Sequence, residues 1–189
     1  MDNAAILERF SATGALLEGH FLLRSGLHSD KYFQAALVLQ HTGIASELCG
    51  ALAQEFSDKS VETVISPAIG GIVVGQEVGR HLGVRAIFAE KEGDSRLVLR
   101  RGFRIRAGER VLVAEDVVTK GGRVQQTLDL VRECGGEVVG VGVLVDRSCG
   151  KVDFGVPFAS LVQLSLATYD PADCPLCKRN VPMTKPGSK

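Results

Sequence analysis

Apolar side chains recur at helical spacing from residue 3 to residue 18, with Ile6, Phe10 and Leu17 on one stripe, and this predicts an opening helix. A second helix is expected over 43–57, GIASELCGALAQEFS. From Glu62 the texture changes. Glu62–Ser66 reads as a strand, Pro67–Gly71 as a turn, Ile72–Leu82 as a helix and Val84–Ala89 as the next strand. The same order then returns: a strand at Arg110–Ala114, a glycine turn, a helix near Val124–Cys134 and a Val-rich strand at Val138–Val145. One more strand is expected at Phe158–Leu164, and the Pro- and Lys-rich tail, 171–189, is expected to pack loosely.

Strands alternating with helices, each strand a continuous apolar run, argue for an α/β fold with a Rossmann-like, mostly parallel sheet covered by helices on both faces. The 189 residues suit a single domain over 1–189. Ligands of such sheets sit beyond the C-terminal strand ends, so residues just after each strand carry the functional information. With 22 basic and 22 acidic residues the chain sums to zero, which argues against nucleic acid as a partner. No apolar run is long enough to span a bilayer, and MDNAAILERF lacks the pattern of a secretory signal, so the expected location is the cytoplasm.

The densest chemistry lies in Val111–Arg123, VLVAEDVVTKGGR. An apolar strand delivers two adjacent carboxylates, Glu115 and Asp116. A turn of Val117, Val118, Thr119, Lys120, Gly121 and Gly122 follows, and a helix starts near Arg123. Glycines allow an anion close to the backbone, and a helix start offers unpaired N–H groups, so the turn suits a monophosphate. Two acids beside it make sense if a diol lies between, because vicinal hydroxyls donate to carboxylates. The bland alternative is a plain strand–turn–helix unit with an exposed acidic pair, but the order acid–acid–apolar–apolar–Thr–x–Gly–Gly is much more restrictive than that. Ala68, Ile69, Gly70 and Gly71 form a second glycine turn after a strand, a weak signal on its own.

Val111–Arg123 resembles the signature of type I phosphoribosyltransferases. In that family the acids contact the ribose 2′ and 3′ hydroxyls, and the loop from Thr119 holds the 5′-phosphate. Arg123 departs from the family's usual Ser or Thr, although its guanidinium can bind phosphate. The resemblance implies that Ala68–Gly71 binds the pyrophosphate of phosphoribosyl pyrophosphate (PRPP). Phe21–Phe33, FLLRSGLHSDKYF, is similar to the N-terminal pattern of orotate phosphoribosyltransferases. Arg24 or Lys31 is suited to orotate's carboxylate, and Tyr32 and Phe33 to its flat ring, with core packing the plain alternative for either aromatic. Thr119 and Arg147, the latter ending the Val-rich strand, complete the implied orotate set. The plain alternative for Arg147 is a surface ion pair.

The resemblance further implies a small hood built from N-terminal and C-terminal segments, and a homodimer whose mobile loop reaches the partner's site. It implies Mg²⁺ as cofactor, held mainly by the donor substrate and not by a protein metal site. Residues 91–110 carry seven basic and three acidic residues, 7 − 3 = +4, and Lys91, at one of the loop's expected basic positions, is its implied catalytic residue. Arg96, Arg100 or Arg101 is available for a second basic position, and Gly93-Asp94-Ser95 also fits a hairpin turn. Two alternatives stay open: a purine or uracil acceptor, or a non-catalytic PRPP sensor. Finally, Cys174-Pro175-Leu176-Cys177 is a lone C-x-x-C. A structural zinc needs four ligands, and His20, His28, His41 and His81 are all distant in sequence, so two reduced surface thiols are expected.

Overall fold

Residues Arg110–Val118 alternate between two apolar layers: Leu112 and Ala114 pack into one core, Val111 and Val113 into another. A strand buried on both faces must lie inside a sheet with helices on each side. The computed structural model, which describes residues 1–23, 25–93 and 96–186, has that architecture. In chain order the elements are α1 (Asn3–Ala12), β1 (Leu16–Leu22), β2 (His28–Phe33), α2 (Ala35–Leu39), α3 (Thr42–Gln54), β3 (Thr63–Pro67), α4 (Gly70–Leu82) and β4 (Arg85–Glu92). There follow β5 (Arg96–Leu99), β6 (Arg110–Val118), α5 (Gly122–Glu133), β7 (Glu137–Asp146), β8 (Phe158–Gln163), α6 (Pro175–Lys178) and β9 (Met183–Thr184).

The main sheet runs β5-β4-β3-β6-β7-β8 and is parallel except at β5, which pairs antiparallel with β4. A second sheet, β2-β1-β9, joins the N-terminal hairpin to the C-terminal segment and forms the expected hood. Phe10 of α1 fixes the hood to the body by stacking on Phe33 of β2, with ring centroids 4.7 Å apart.

Four expectations need correction. The first helix stops at Ala12, not residue 18, because Gly14 takes a left-handed φ of 67° and the chain turns into β1. Helix α4 starts two residues earlier than expected, at Gly70. Strand β6 continues past Ala114 to Val118, so both acids lie within the ladder, Glu115 opposite Val143 of β7. The tail is not loose: Cys174 and Leu176 are buried, and β9 pairs with β1. Among the described residues, no helix is long and apolar enough to cross a membrane.

Candidate active site

Three strand ends converge on one cleft of about 1110 Å³, whose lining includes Tyr32, Asp116, Thr119, Lys120 and Arg147. The convergence follows from register. Val118 pairs with Asp146, and the Arg147 amide donates to the Val118 carbonyl at 2.8 Å, so Arg147 sits beside the start of the Thr119 loop. The loop closes at Gly121, whose φ of 76° suits glycine, and an added Cβ there would meet Phe154 at 3.0 Å. The first intrahelical bond of α5 runs from the Gln125 amide to the Gly121 carbonyl. Among the described residues, no protein acceptor takes the amides of Lys120, Gly121 or Gly122. They remain available to an anion, as a helix start requires.

The second glycine turn lies against the acids. A Cβ on Gly70 would meet Asp116 Oδ2 at 2.5 Å, and one on Gly71 would meet Glu115 Oε1 at 2.8 Å. At both positions glycine leaves these carboxylates where they stand, and a side chain would displace them. The turn is held by the Ala68 amide, which donates to the Ala89 carbonyl at 2.8 Å, and Ile69 stands out of it 85% exposed.

The two acids differ in environment. Asp116 Oδ1 accepts from the Val117 amide at 2.7 Å and the residue is only half-buried. Glu115 is buried, its Oε1 taking the Asp116 amide at 3.0 Å. Burial first, and then the adjacent Asp116 charge, push the Glu115 carboxyl far above the ordinary carboxylate range. Burial thus favours the protonated form of Glu115 in the free protein.

Arg147 Nε is buried and has no hydrogen-bond partner among the described residues. Burial lowers its pKa, yet a guanidinium keeps its charge at physiological pH. No ion pair forms at Arg147 among the described residues, so the surface-pair alternative does not apply. A cation with an orphaned donor in a cleft is suited to a ligand carboxylate or carbonyl.

Other expected residues lie elsewhere. Lys31 pairs with Glu18 at 3.0 Å and does not line the cleft. Phe33 is a buried core residue on Phe10 as well as a contributor to the cleft wall, so the plain reading holds for it in part. The Arg123 guanidinium bonds Gln126 Oε1 at 3.2 Å, within its own helix. Lys91 is exposed on the β4–β5 hairpin and is not part of this cleft. The nearby arginines are spoken for: Arg96 pairs with Glu133, Arg100 with Glu92 and Arg101 with Glu90. Arg24, Asp94 and Ser95 lie outside the described residues. The sequence reading missed Ser148 and Lys151, which follow β7 and were findable by the strand-end rule, and Lys185, which the tail carries to the cleft.

A family model described as the phosphoribosyl transferase domain matches residues 36–156. An orotate phosphoribosyltransferase of Caldanaerobacter subterraneus subsp. tengcongensis is 52% identical over 189 residues, covering 100% of this chain and 99% of that protein. The chain belongs to the orotate phosphoribosyltransferase family. Another member, from Chlorobium phaeobacteroides, is 51% identical over 100% of this chain and 97% of its own. Among solved structures, orotate phosphoribosyltransferase from Aeropyrum pernix superposes with a TM-score of 0.68 at 23% identity, covering 84% of this chain and 93% of that one. Adenine phosphoribosyltransferase from Thermoanaerobacter pseudethanolicus superposes with a TM-score of 0.61 at 21% identity, over 71% of this chain and 88% of its own. The fold is therefore common to members named for different bases, and the whole-length sequence identity is what singles out the orotate branch.

Proposed function

We propose that this chain transfers the 5-phosphoribosyl group from PRPP to orotate, giving orotidine 5′-monophosphate and pyrophosphate in pyrimidine synthesis. The observation that carries the reading is the meeting of Asp116, the Thr119–Lys120 start of the phosphate loop and the orphaned Arg147 donor in one cleft, with Glu115 buried directly behind Asp116.

On this reading the 5′-phosphate sits on the amides of the Thr119–Arg123 loop, and the ribose hydroxyls lie against Asp116 and Glu115. The pyrophosphate lies along Ala68–Gly71. Arg147 takes orotate's carboxylate or a ring carbonyl, with Tyr32 offering a face to the ring and Thr119 a hydroxyl. The C1–pyrophosphate bond breaks with its electron pair leaving on oxygen, and N1 of orotate bonds to C1 as its proton passes to the departing pyrophosphate. Positive charge develops on the sugar in between, and a carboxylate beside the ribose stabilises it. No protein nucleophile is required.

Mg²⁺ is part of the proposal. The half-buried Asp116 carboxylate suits a place beside such an ion, whose ligands come mainly from the donor's own oxygens. When bound, it neutralises charge on the departing pyrophosphate.

We also propose a homodimer in the cytoplasm. Lys91 does not line its own cleft, which supports a hairpin that serves the partner's. Mixing Lys91→Ala with Asp116→Asn chains tests this: one site of the mixed dimer is intact, so activity should recover to about a quarter of wild type. Recovery of none would refute the shared site. The reaction itself is tested by pyrophosphate release with PRPP, Mg²⁺ and orotate, run beside adenine, hypoxanthine and uracil. Preference for any other base, or donor binding without turnover, would overturn the assignment.

A further inference from the structure

The expected pair of surface thiols holds for Cys177, which is exposed, but not for Cys174. Cys174 is fully buried, and both cysteines meet two histidines from the hood. His20 on β1, His28 on β2, Cys174 just before α6 and Cys177 within it bring one ligand atom each to within 4.8 Å of one another. His20 Nε2 lies 2.9 Å from His28 Nδ1, 3.7 Å from Cys174 Sγ and 3.8 Å from Cys177 Sγ. Cys177 Sγ lies 3.3 Å from His28 Nδ1.

These separations are the edges of a coordination tetrahedron. Zn–N bonds near 2.05 Å and Zn–S bonds near 2.3 Å imply N–N edges of about 3.3 Å and N–S edges of about 3.6 Å. The four edges given above scatter around those values, and the other two are no longer than 4.8 Å. The outer partner of one imidazole is also in place. His20 Nδ1 lies 2.8 Å from the Val181 carbonyl; as the donor there, it leaves Nε2 with its lone pair facing the cluster. The backbone of His28 is fixed by two hydrogen bonds with Tyr169, at 2.9 and 2.8 Å. Two thiolates and two neutral imidazoles around a divalent ion sum to zero charge, which suits a largely buried place.

We propose that His20 Nε2, His28 Nδ1, Cys174 Sγ and Cys177 Sγ hold a structural zinc ion that fastens the C-terminal segment to the hood. All four positions are filled by protein, so the site has no opening for a substrate. Its mechanical role follows from what it anchors. Strand β9 is only Met183–Thr184, too short to hold the tail alone, and the residues directly after it, Lys185 and Pro186, wall the cleft. The ion ties α6 to β1 and β2 and so sets where that wall stands.

The test is elemental analysis of the full-length protein purified without chelator. About one zinc per chain is expected, falling below about a tenth in Cys177→Ser and unchanged in Cys134→Ser. Replacement by Co²⁺ should give the intense ligand-field bands of a tetrahedral site with thiolate charge transfer, absent from Cys177→Ser. Stripping the zinc should lower the melting temperature, with recovery on adding Zn²⁺ but not Mg²⁺. If Cys177→Ser does not fold, the wild-type zinc content and cobalt spectrum decide alone. Protein that purifies metal-free and gives no cobalt–thiolate band overturns the proposal. So does a Cys174–Cys177 disulfide in metal-free protein, or a simple imidazole–imidazole hydrogen bond that persists when Zn²⁺ is supplied. None of these readouts depends on turnover.

Discussion

Replacing Gly70 with alanine probes the contact between the two glycine turns. The new Cβ would lie 2.5 Å from Asp116 Oδ2, 3.0 Å from its Cγ and 3.3 Å from Oδ1. An ordinary carbon–oxygen contact is about 3.3 Å, so the nearer oxygen must retreat by about 0.8 Å. Asp116 is half-buried and its carboxylate is the free end of a side chain, so it can swing aside without disturbing the fold. Stability should hold or improve, because alanine is favoured over glycine in a helix by up to about 1 kcal/mol. Catalysis should not hold. A displacement of about 1 Å in a positioning group costs on the order of a hundredfold, or about 2.7 kcal/mol of transition-state binding. The assay is kcat/KM for PRPP alongside a thermal melt. Gly71→Ala is the contrasting control: its Cβ would meet Ser66 Cβ at 3.2 Å and the Ala114 carbonyl at 3.4 Å as well as Glu115, so it should lose stability too. A Gly70→Ala enzyme within threefold of wild type would refute the placement of Asp116 at the ribose.

Further outcomes follow from the same geometry. Asp116→Asn should melt like wild type yet lose at least about 2 kcal/mol of transition-state stabilisation, roughly thirtyfold in kcat/KM, the value of a hydrogen bond to a charged group; wild-type turnover would sink the assignment. Arg147→Ala should raise the KM for orotate by about tenfold or more and that for PRPP much less, and an unchanged orotate KM would count against the role. Glu109 gives a pH signature. Burial raises its pKa, but the Arg106 amide, the Thr63 hydroxyl and the Arg85 guanidinium outweigh that and hold the carboxyl down at about 2, against an ordinary 4.5. A depressed carboxyl stabilises the fold above pH 4.5 and loses that contribution as pH falls toward 2, a difference of about 3 kcal/mol. Glu109→Gln should therefore melt well below wild type at pH 7, with the gap closing between pH 4.5 and 2; a gap independent of pH would refute the reading.

How far the sequence could be read depended on the range of the forces involved. The β3–α4–β4 and β6–α5–β7 units were legible because apolar runs, glycine turns and helix stripes are local signals. The end of β6 was misplaced because a pair of charges reads as a strand's edge, whereas here β7 continues the ladder alongside them. Gly14 ended α1 by its left-handed backbone angle, a stop signal that the apolar spacing continuing to Leu17 obscured. Lys31 looked like a base-binding cation; only the β1–β2 register, which sets it opposite Glu18, takes it away. The zinc ligands were the least legible of all. His20 and Cys174 are 154 residues apart, and no local pattern joins the two ends of a chain.

The two sheets share one cleft yet belong to different parts of the chain. Everything proposed for the sugar and its phosphates comes from β3, α4, β6 and α5, while Tyr32 and Lys185 come from the hood. A change of nucleobase preference can thus be sought in the roof and at the Arg147 strand end together, leaving β3, α4 and α5, which grip the common donor, untouched.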